Sequence, residues 1–408
     1  MKKIAILTLL TLSFCILQAQ VKTGIEVLRD NGFNILKGKR VGLITNPTGV
    51  DAQLKSTVDI LHEAPGVKLV ALYGPEHGVR GDAYAGGEVS NSVDKTTGIP
   101  VYSLYGKSRK PTSDMLKDVD VIVYDIQDIG CRSYTFISTM GLAMEAAAEN
   151  GKEFVVLDRP NPLGGLRVEG NLAEDKFISF VSQFKIPYLY GLTCGELAML
   201  LNGENMLKGK CKLTVVPMKG WKRDMSYSQT GLPWVLPSPH IPYAESAFYY
   251  AASGILGEFD FMSIGVGYTL PFQLFAKDSI DAELLANTMN ALHLAGVLFR
   301  PIHFKPFYAV GEGADYSGVQ YFITDFAKVR LTEIQFYVMQ AMARLYPDKQ
   351  CFNDSVRKSR YRMFDQVCGT DQIRLLLSKR MQVDDILSYW RKDEKAFKKL
   401  SEKYYMYK

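Results

Sequence analysis

The feature that most constrains the fold of this chain is a series of short apolar runs, rich in β-branched residues, between residues 40 and 161. Continuous apolar runs of this length are typical of strands buried on both faces. The segments between them carry apolar residues at helical spacing, so the pattern predicts an α/β fold with a doubly wound parallel sheet. The runs occupy residues 41–45, 69–72, 101–104, 119–124 and 154–157.

The length of 408 residues predicts two domains. A helix near 193–201 and a strand at 212–217 extend the first pattern, and a proline-rich stretch at 232–242 follows. Beyond it, strands mix with helices. We therefore expect a Rossmann-like N-terminal domain over residues 21–225 and a smaller α+β domain over 226–408.

The N-terminus has the layout of a secretory signal. Lys2 and Lys3 precede an apolar run at 4–17, and Ala19 offers a cleavage site. The bulky residue before Cys15 disfavours a lipoprotein signal. We expect a signal peptide over residues 1–20, cleaved near Ala19, and an exported protein that is periplasmic or secreted, with no membrane span in the mature chain.

The composition narrows the class of function. Hydrophobic residues at 47% and charged residues at 22% are typical of globular proteins and exclude disorder and coiled coil. A net charge of +5 without basic runs is too weak to imply nucleic acid as a partner. The five cysteines beyond the signal form no CxxC motif, so we expect small buried residues rather than disulfides or a zinc site.

The loops that follow the predicted strands are dense in Gly, Pro and functional polar residues. They occupy residues 46–49, 74–78, 125–130 and 158–162. In parallel sheets, ligands bind beyond the carboxyl ends of the strands, so we expect the site here. No GxGxxG follows the first strand, and neither GxSxG nor HExxH occurs, which predicts no nucleotide cofactor and no metal.

The chemistry that remains is centred on carboxylates. Glu76, held between glycines just past a strand end, suits a general acid, because partial burial raises a carboxyl pKa. A structural ion pair is the alternative for Glu76, and His77 either orients it or binds substrate. Asp125 is either the second carboxylate or a hydrogen bonder at the sheet end. Two such groups are the minimum for hydrolysing a glycosidic bond, and the sequence leaves retention, inversion and an acetamido nucleophile open.

Several stretches resemble the exo-β-N-acetylmuramidases of glycoside hydrolase family 171. They run in order over almost the whole chain after the signal: GLITNPTG at 42–49, YGPEHG at 73–78, TGIPVYSLYG at 97–106, YDIQDIG at 124–130, DRPNPLGG at 158–165, EG at 169–170, GLPW at 231–234, PSP at 237–239 and FRP at 299–301.

The resemblance implies a Rossmann-like domain followed by a smaller α+β domain, with the active site between them. It implies exo-acting removal of N-acetylmuramic acid from non-reducing ends of peptidoglycan fragments without a cofactor, and it makes Glu76 the catalytic acid. With His77 and Asp125 as the other expected catalytic residues, we expect the sugar to be bound by Asn46, Arg80, Gln127, Asp128, Arg132, Tyr134, Asn161, Glu169 and His240.

One segment departs from the family's pattern. Between residues 258 and 271, Phe261 stands where the family has Asn and Val266 where it has Arg, and His240 replaces an Asn earlier in the chain. Loss of the Arg removes a candidate partner for the lactyl carboxylate of muramic acid. These changes leave open a glycosidase for another amino sugar, or a glycan-binding protein with altered catalysis; a nicotinamide-dependent dehydrogenase is the most remote alternative.

Overall fold

The predicted apolar runs form the inner strands of a seven-stranded sheet. We describe it from a computed structural model, which describes residues 20–81, 91–106, 108–352 and 355–408. The predicted signal at 1–19 lies outside these residues. The strands are β1 (Arg40–Thr45), β2 (Lys68–Gly74), β3 (Ser92–Val93), β4 (Pro100–Ser103), β5 (Val121–Asp125), β6 (Glu153–Leu157) and β7 (Lys212–Val216).

The strand order places a topological switch at the centre of this sheet. The order is β3-β4-β2-β1-β5-β6-β7, and the neighbours pair in parallel except for the edge strand β3, which runs antiparallel to β4. Strand β1 lies between β2 and β5, with Thr45 beside Asp125 at their carboxyl ends. This crevice is where doubly wound sheets usually bind ligands.

Helices cover both faces of the sheet because successive strand residues alternate between the faces. The helices are α1 (Gly24–Asp30), α2 (Thr57–Glu63), α3 (Ser113–Leu116), α4 (Phe136–Glu149) and α5 (Cys194–Gly203). Val121 and Val123 pack with α1 and α2, whereas Ile122 and Tyr124 pack on the other face with α4 and α5. Thr193 caps α5 and forms the predicted capping box with Glu196.

The C-terminal part is the expected smaller α+β unit. Its three strands form an antiparallel sheet in the order β8-β10-β9, where β8 is Leu274–Lys277, β9 Val297–Phe304 and β10 Tyr316–Ile323. One face of this sheet packs on helices in the largest apolar cluster. The helices are α6 (Ser246–Glu258), α7 (Ala282–Asn290), α8 (Leu331–Leu345), α9 (Tyr361–Cys368), α10 (Gln372–Arg380), α11 (Asp384–Trp390) and α12 (Glu394–Ser401).

Two further sequence expectations concern membrane-spanning helices and the cysteines. In the part of the chain that the structure describes, no helix has both the length and the apolar character needed to cross a bilayer. Within the described ranges, the five cysteines beyond the signal are buried and none forms a disulfide.

The C-terminal tail returns to the N-terminal sheet. The Tyr407 hydroxyl donates to Asp158 Oδ2 at 2.6 Å and accepts from the Met218 amide at 2.9 Å, while its ring packs on Trp221. Burial raises the pKa of Asp158 to about 6, although three donors, including Tyr407, act against this. The last residues of the chain therefore pack on the N-terminal unit, beyond the expected boundary between residues 225 and 226. The division into two domains at that boundary stays a prediction.

Replacing Tyr407 with Phe should destabilise the fold by about 2 kcal/mol, because a buried carboxyl and a buried amide each lose a hydrogen bond. Urea denaturation measures the loss. Tyr243→Phe is the matched control, since Tyr243 is 65% exposed and its loss should change the unfolding free energy by less than ~0.5 kcal/mol. Equal effects of the two substitutions would contradict a stabilising role for the tail.

Candidate active site

A buried ion pair fills the switch point between β1 and β5. Asp125 accepts from Arg159 Nε at 2.5 Å and Nη2 at 2.9 Å, and from the Thr57 hydroxyl at 2.5 Å. The Asp125 side chain is fully buried and lies outside the cavities at this edge. Its position therefore favours the sheet-end role over that of second catalytic carboxylate.

Arg132 is also structural. Its guanidinium is fully buried and donates to the carbonyls of Asn171 at 2.8 Å, Ile186 at 2.6 Å and Val367 at 3.0 Å. The last of these belongs to α9, so Arg132 joins the two halves of the chain. Burial lowers the pKa of Arg132 to about 10. A side chain held in this way cannot reach a sugar.

Four further expected residues shape the loops at this edge rather than a cavity. All are buried, and each forms a hydrogen bond with the backbone of these loops. Burial also raises the pKa of Asp128 to about 6. The pairs are Asn46 with the Thr48 amide, Gln127 with the Pro160 carbonyl, Asp128 with the Gly130 amide, and Asn161 with the Leu163 amide.

Arg80 and Glu169 lie in other ion pairs. Arg80 bonds to Asp94 at 2.9 Å, and Glu169 accepts from Arg167 at 2.7 Å. Glu169 lines a separate cleft of about 780 Å³, larger than any other cavity described here. Arg167 neutralises Glu169 there and Arg330 pairs with Glu394, so this cleft has the poorer arrangement of carboxyl groups for acid catalysis.

A second cavity, of about 500 Å³, has the features of an active site. The N-terminal half contributes loops that follow β2, β4 and β5, and the C-terminal half contributes the proline-rich segment, α6 and α9. Four of the expected residues line it: Glu76, His77, Tyr134 and His240.

The loop that carries Glu76 is a tight turn. The Gly78 amide bonds to the Pro75 carbonyl at 2.9 Å, and His77 has a φ of 72°, as in the third position of a type II turn. Left-handed backbone is uncommon for His and is frequent near functional sites. A Cβ on Gly74 would lie 3.2 Å from Gly78 Cα, so the glycine lets the turn fold back against the strand end.

Two carboxyl groups face this cavity. Glu76 Oε2 accepts from the Thr135 hydroxyl at 3.2 Å, and Tyr105 lies near enough that the charge of Glu76, after burial, helps to raise the pKa of the Tyr105 phenol to about 12. Glu258, at the end of α6, lies close enough for the charge of Glu76 to affect it. Burial raises the pKa of Glu258 and the negative charge of Glu76 raises it further, against the opposing charge of Arg360.

Aromatic side chains form much of the cavity wall. Tyr134 stacks edge-on against Phe136 and Tyr250, with centroids 5.1 and 5.5 Å apart. Burial raises its pKa well above the usual value. The Tyr134 hydroxyl has no hydrogen-bond partner among the described residues: Ser238 is a polar neighbour, but the pair does not meet hydrogen-bond geometry. A buried donor of this kind suits a substrate hydroxyl.

Basic groups line the same cavity. Arg109 is exposed, and its guanidinium lies 4.3 Å from the Phe180 ring centroid. His240 bonds to the Tyr308 hydroxyl at 2.7 Å, and burial lowers its pKa, with His77 nearby adding to the effect. The cavity therefore combines two carboxyl groups, a guanidinium and two imidazoles.

Tyr105, Arg109 and Glu258 also line the cavity, although they were not among the site residues expected from the sequence. Tyr105 lies within one stretch of the resemblance and Glu258 opens the segment that departs from it, so both positions carried a signal. Arg109 carried none, because an isolated Arg in a loop looks like surface. Of the two replaced positions in that segment, Val266 lines a cavity beside this one and Phe261 is buried in the core.

Comparison with known proteins identifies relatives along the whole chain. Profiles described as the N-terminal and C-terminal parts of the exo-β-N-acetylmuramidase NamZ match residues 41–245 and 248–407. The chain is 47% identical over 388 residues to the peptidoglycan β-N-acetylmuramidase NamZ of Bacillus subtilis (strain 168), covering 95% of this chain and 92% of that protein.

Two crystal structures of DUF1343 family proteins from Bacteroides fragilis NCTC 9343 share the fold. One is 64% identical, with a TM-score of 0.92, and covers 95% of this chain and 99% of that chain. The other is 28% identical, with a TM-score of 0.75, and covers 96% and 99%.

The position of Arg132 generates a test. Arg132→Met should lower the unfolding free energy by about 3 kcal/mol, because buried carbonyls lose a charged donor, whereas the exposed Arg300→Met should be nearly neutral. Urea denaturation measures the stability of each variant, and the KM of the folded Arg132→Met protein shows whether Arg132 contacts the substrate. A stable Arg132→Met protein with a strongly raised KM would restore Arg132 as a sugar-binding residue.

Proposed function

This chain belongs to the NamZ exo-β-N-acetylmuramidase family, and on that premise we propose that it is a glycosidase that cleaves N-acetylmuramic acid, or a related amino sugar, from non-reducing ends of peptidoglycan fragments. The observation that carries the proposal is the presence of two carboxyl groups, Glu76 and Glu258, in one cavity lined by both halves of the chain.

Glu76 acts as the acid/base in this proposal. Glycoside hydrolysis needs a group that protonates the leaving oxygen as the bond to the anomeric carbon breaks. The Thr135 hydroxyl holds the Glu76 carboxyl on the cavity wall, which Tyr105 also lines.

Glu258 takes the place that we had expected for Asp125. Burial raises the pKa of Glu258, and the negative charge of Glu76 raises it further, against the opposing charge of Arg360. Glycoside hydrolysis uses two such carboxyl groups, one of them protonated when the bond to the leaving oxygen breaks.

Arg109 supplies the positive charge for a muramic acid substrate. The lactyl carboxylate of that sugar needs a cationic partner, and a guanidinium can bind a carboxylate through two parallel hydrogen bonds. Arg109 therefore offers the positive charge for the lactyl carboxylate that Val266, standing where the family has Arg, does not supply. His77, His240 and the Tyr134 hydroxyl remain as hydrogen-bonding groups for the sugar ring.

Export of the protein is part of the proposal. Peptidoglycan lies outside the cytoplasmic membrane, and the sequence pattern at residues 1–19 predicts a secretory signal. We therefore place the protein in the periplasm or outside the cell, and we retain the two-domain division as the frame that brings the cavity walls together.

Glu76→Gln should lower kcat on a disaccharide of N-acetylmuramic acid β-linked to N-acetylglucosamine by at least ~10³-fold, because an amide cannot donate the proton that the sugar leaving group needs. Glu258→Gln should lower kcat by ~10²-fold or more and change the pH profile, since one member of the pair is lost. The exposed Glu283→Gln is the control. Full activity of Glu76→Gln would reassign the acid, and a wild-type protein that binds a muropeptide disaccharide without cleaving it would instead indicate a glycan-binding protein.

Arg109→Gln should raise KM for the 4-nitrophenyl β-glycoside of N-acetylmuramic acid by about tenfold or more, because one charge-assisted hydrogen bond to the substrate is lost. The same variant should leave KM for the matching N-acetylglucosamine glycoside unchanged, because that sugar lacks the lactyl carboxylate. Steady-state kinetics on the two substrates gives the comparison. An equal change on both sugars would assign Arg109 to a different part of the substrate.

A further inference from the structure

A smaller cavity of about 270 Å³ adjoins the catalytic cavity at Glu258. The two cavities share Tyr250, Glu258 and Phe272 as lining residues. Glu258 is the last residue of α6, so its carboxyl lies where the two spaces meet. A substrate group that reaches the smaller cavity from the larger one passes Tyr250, Glu258 and Phe272.

The walls of the side cavity beyond Glu258 are mainly apolar. Ile264 and Val266 come from the loop after α6, and Val310 comes from the loop after β9. The acidic residue of the wall, Asp260, forms an ion pair with Arg360. The cavity therefore has a polar entrance and an apolar interior.

The loop that forms this wall is held tightly. Ser263 exchanges two backbone hydrogen bonds with Ala276 of β8, at 2.8 and 2.9 Å. Gly265 has a φ of 88°, and a Cβ there would lie 2.0 Å from the Leu270 carbonyl oxygen. The cavity is thus part of the rigid framework and exists before any ligand binds.

We propose that the side cavity binds the N-acyl group of the amino sugar, with the amide at Glu258 and the acyl carbon chain against Ile264, Val266 and Val310. The proposal rests on the glycosidase function above. A carboxyl group accepts an amide N–H through its carbonyl oxygen whether or not it is ionised. The apolar walls then take the methyl group.

The other substituents of the sugar fit this cavity less well. The lactyl carboxylate would lie against the acidic group of Glu258, and like charges at short distance repel. Sugar hydroxyls would lose water without gaining hydrogen bonds from apolar walls. Only the N-acyl group combines a polar amide with an apolar end in the order that the cavity presents.

The size of the cavity gives the proposal a quantitative consequence. A water molecule takes up about 30 Å³ in the liquid, so the cavity has room for roughly nine such volumes, more than an acetyl group fills. Longer acyl chains should therefore be accepted. Each added methylene that is buried should raise kcat/KM by up to about fourfold.

The test uses 4-nitrophenyl β-glycosides of N-acetyl-, N-propionyl- and N-butyryl-muramic acid. The wild-type protein should hydrolyse all three, with kcat/KM equal or rising along the series. Val266→Phe should fill the cavity and lower kcat/KM for the butyryl substrate at least ~10-fold more than for the acetyl substrate. Val93→Phe, at a position 60% exposed on an edge strand, is the matched control and should keep the wild-type order.

If Val266→Phe does not fold, Val310→Phe on a different loop is used instead, because its phenylalanine ring should fill the same cavity. Wild-type turnover of the acetyl substrate with ~100-fold rejection of the butyryl substrate would overturn the acyl assignment alone. The same conclusion would follow if a folded cavity-filling variant kept the wild-type ratios. Failure of the wild-type protein to cleave any of the three substrates would overturn the glycosidase function and the acyl assignment together.

Discussion

The buried ion pair between Asp125 and Arg159 is the constraint on which the arrangement of the site depends. It occupies the crevice between β1 and β5, where a doubly wound sheet usually binds its ligand. Charges at this depth are tolerated only when they are paired and hydrogen-bonded, so the neighbouring loops must bond inward and stay closed. The open space is displaced to the loops after β2, β4 and β5, where the C-terminal half supplies the remaining wall.

The cavity has its chemistry because two distant parts of the chain meet there. Glu76 comes from a tight turn at the end of a strand, and Glu258 comes from the end of a helix in the other half. Burial raises the pKa of Glu258, and the nearby charge of Glu76 raises it further, so Glu258 favours its protonated form more than an exposed carboxyl group does.

Much of the fold could be predicted from the sequence, whereas the site could be predicted only in part. The apolar runs at 41–45 and 154–157 became β1 and β6 almost to the residue, because burial on both faces leaves a local pattern. The edge strand β3 leaves no such pattern, since both of its residues are exposed. Among charged residues, Arg132 was expected to bind the sugar yet bonds to backbone carbonyls, whereas Arg109, which no sequence pattern singled out, lines the cavity.

The sequence by itself determined the inner strands of the first sheet, helix α5 and the loop that carries Glu76, because these depend on spacing and turn chemistry within a few residues. Only the tertiary structure decided which polar side chains face a cavity and which face one another. The physical reason is that the partner of a charge is chosen by distance in space. Asp125 meets Arg159 and Glu258 meets Glu76 across separations in the chain that no local pattern records.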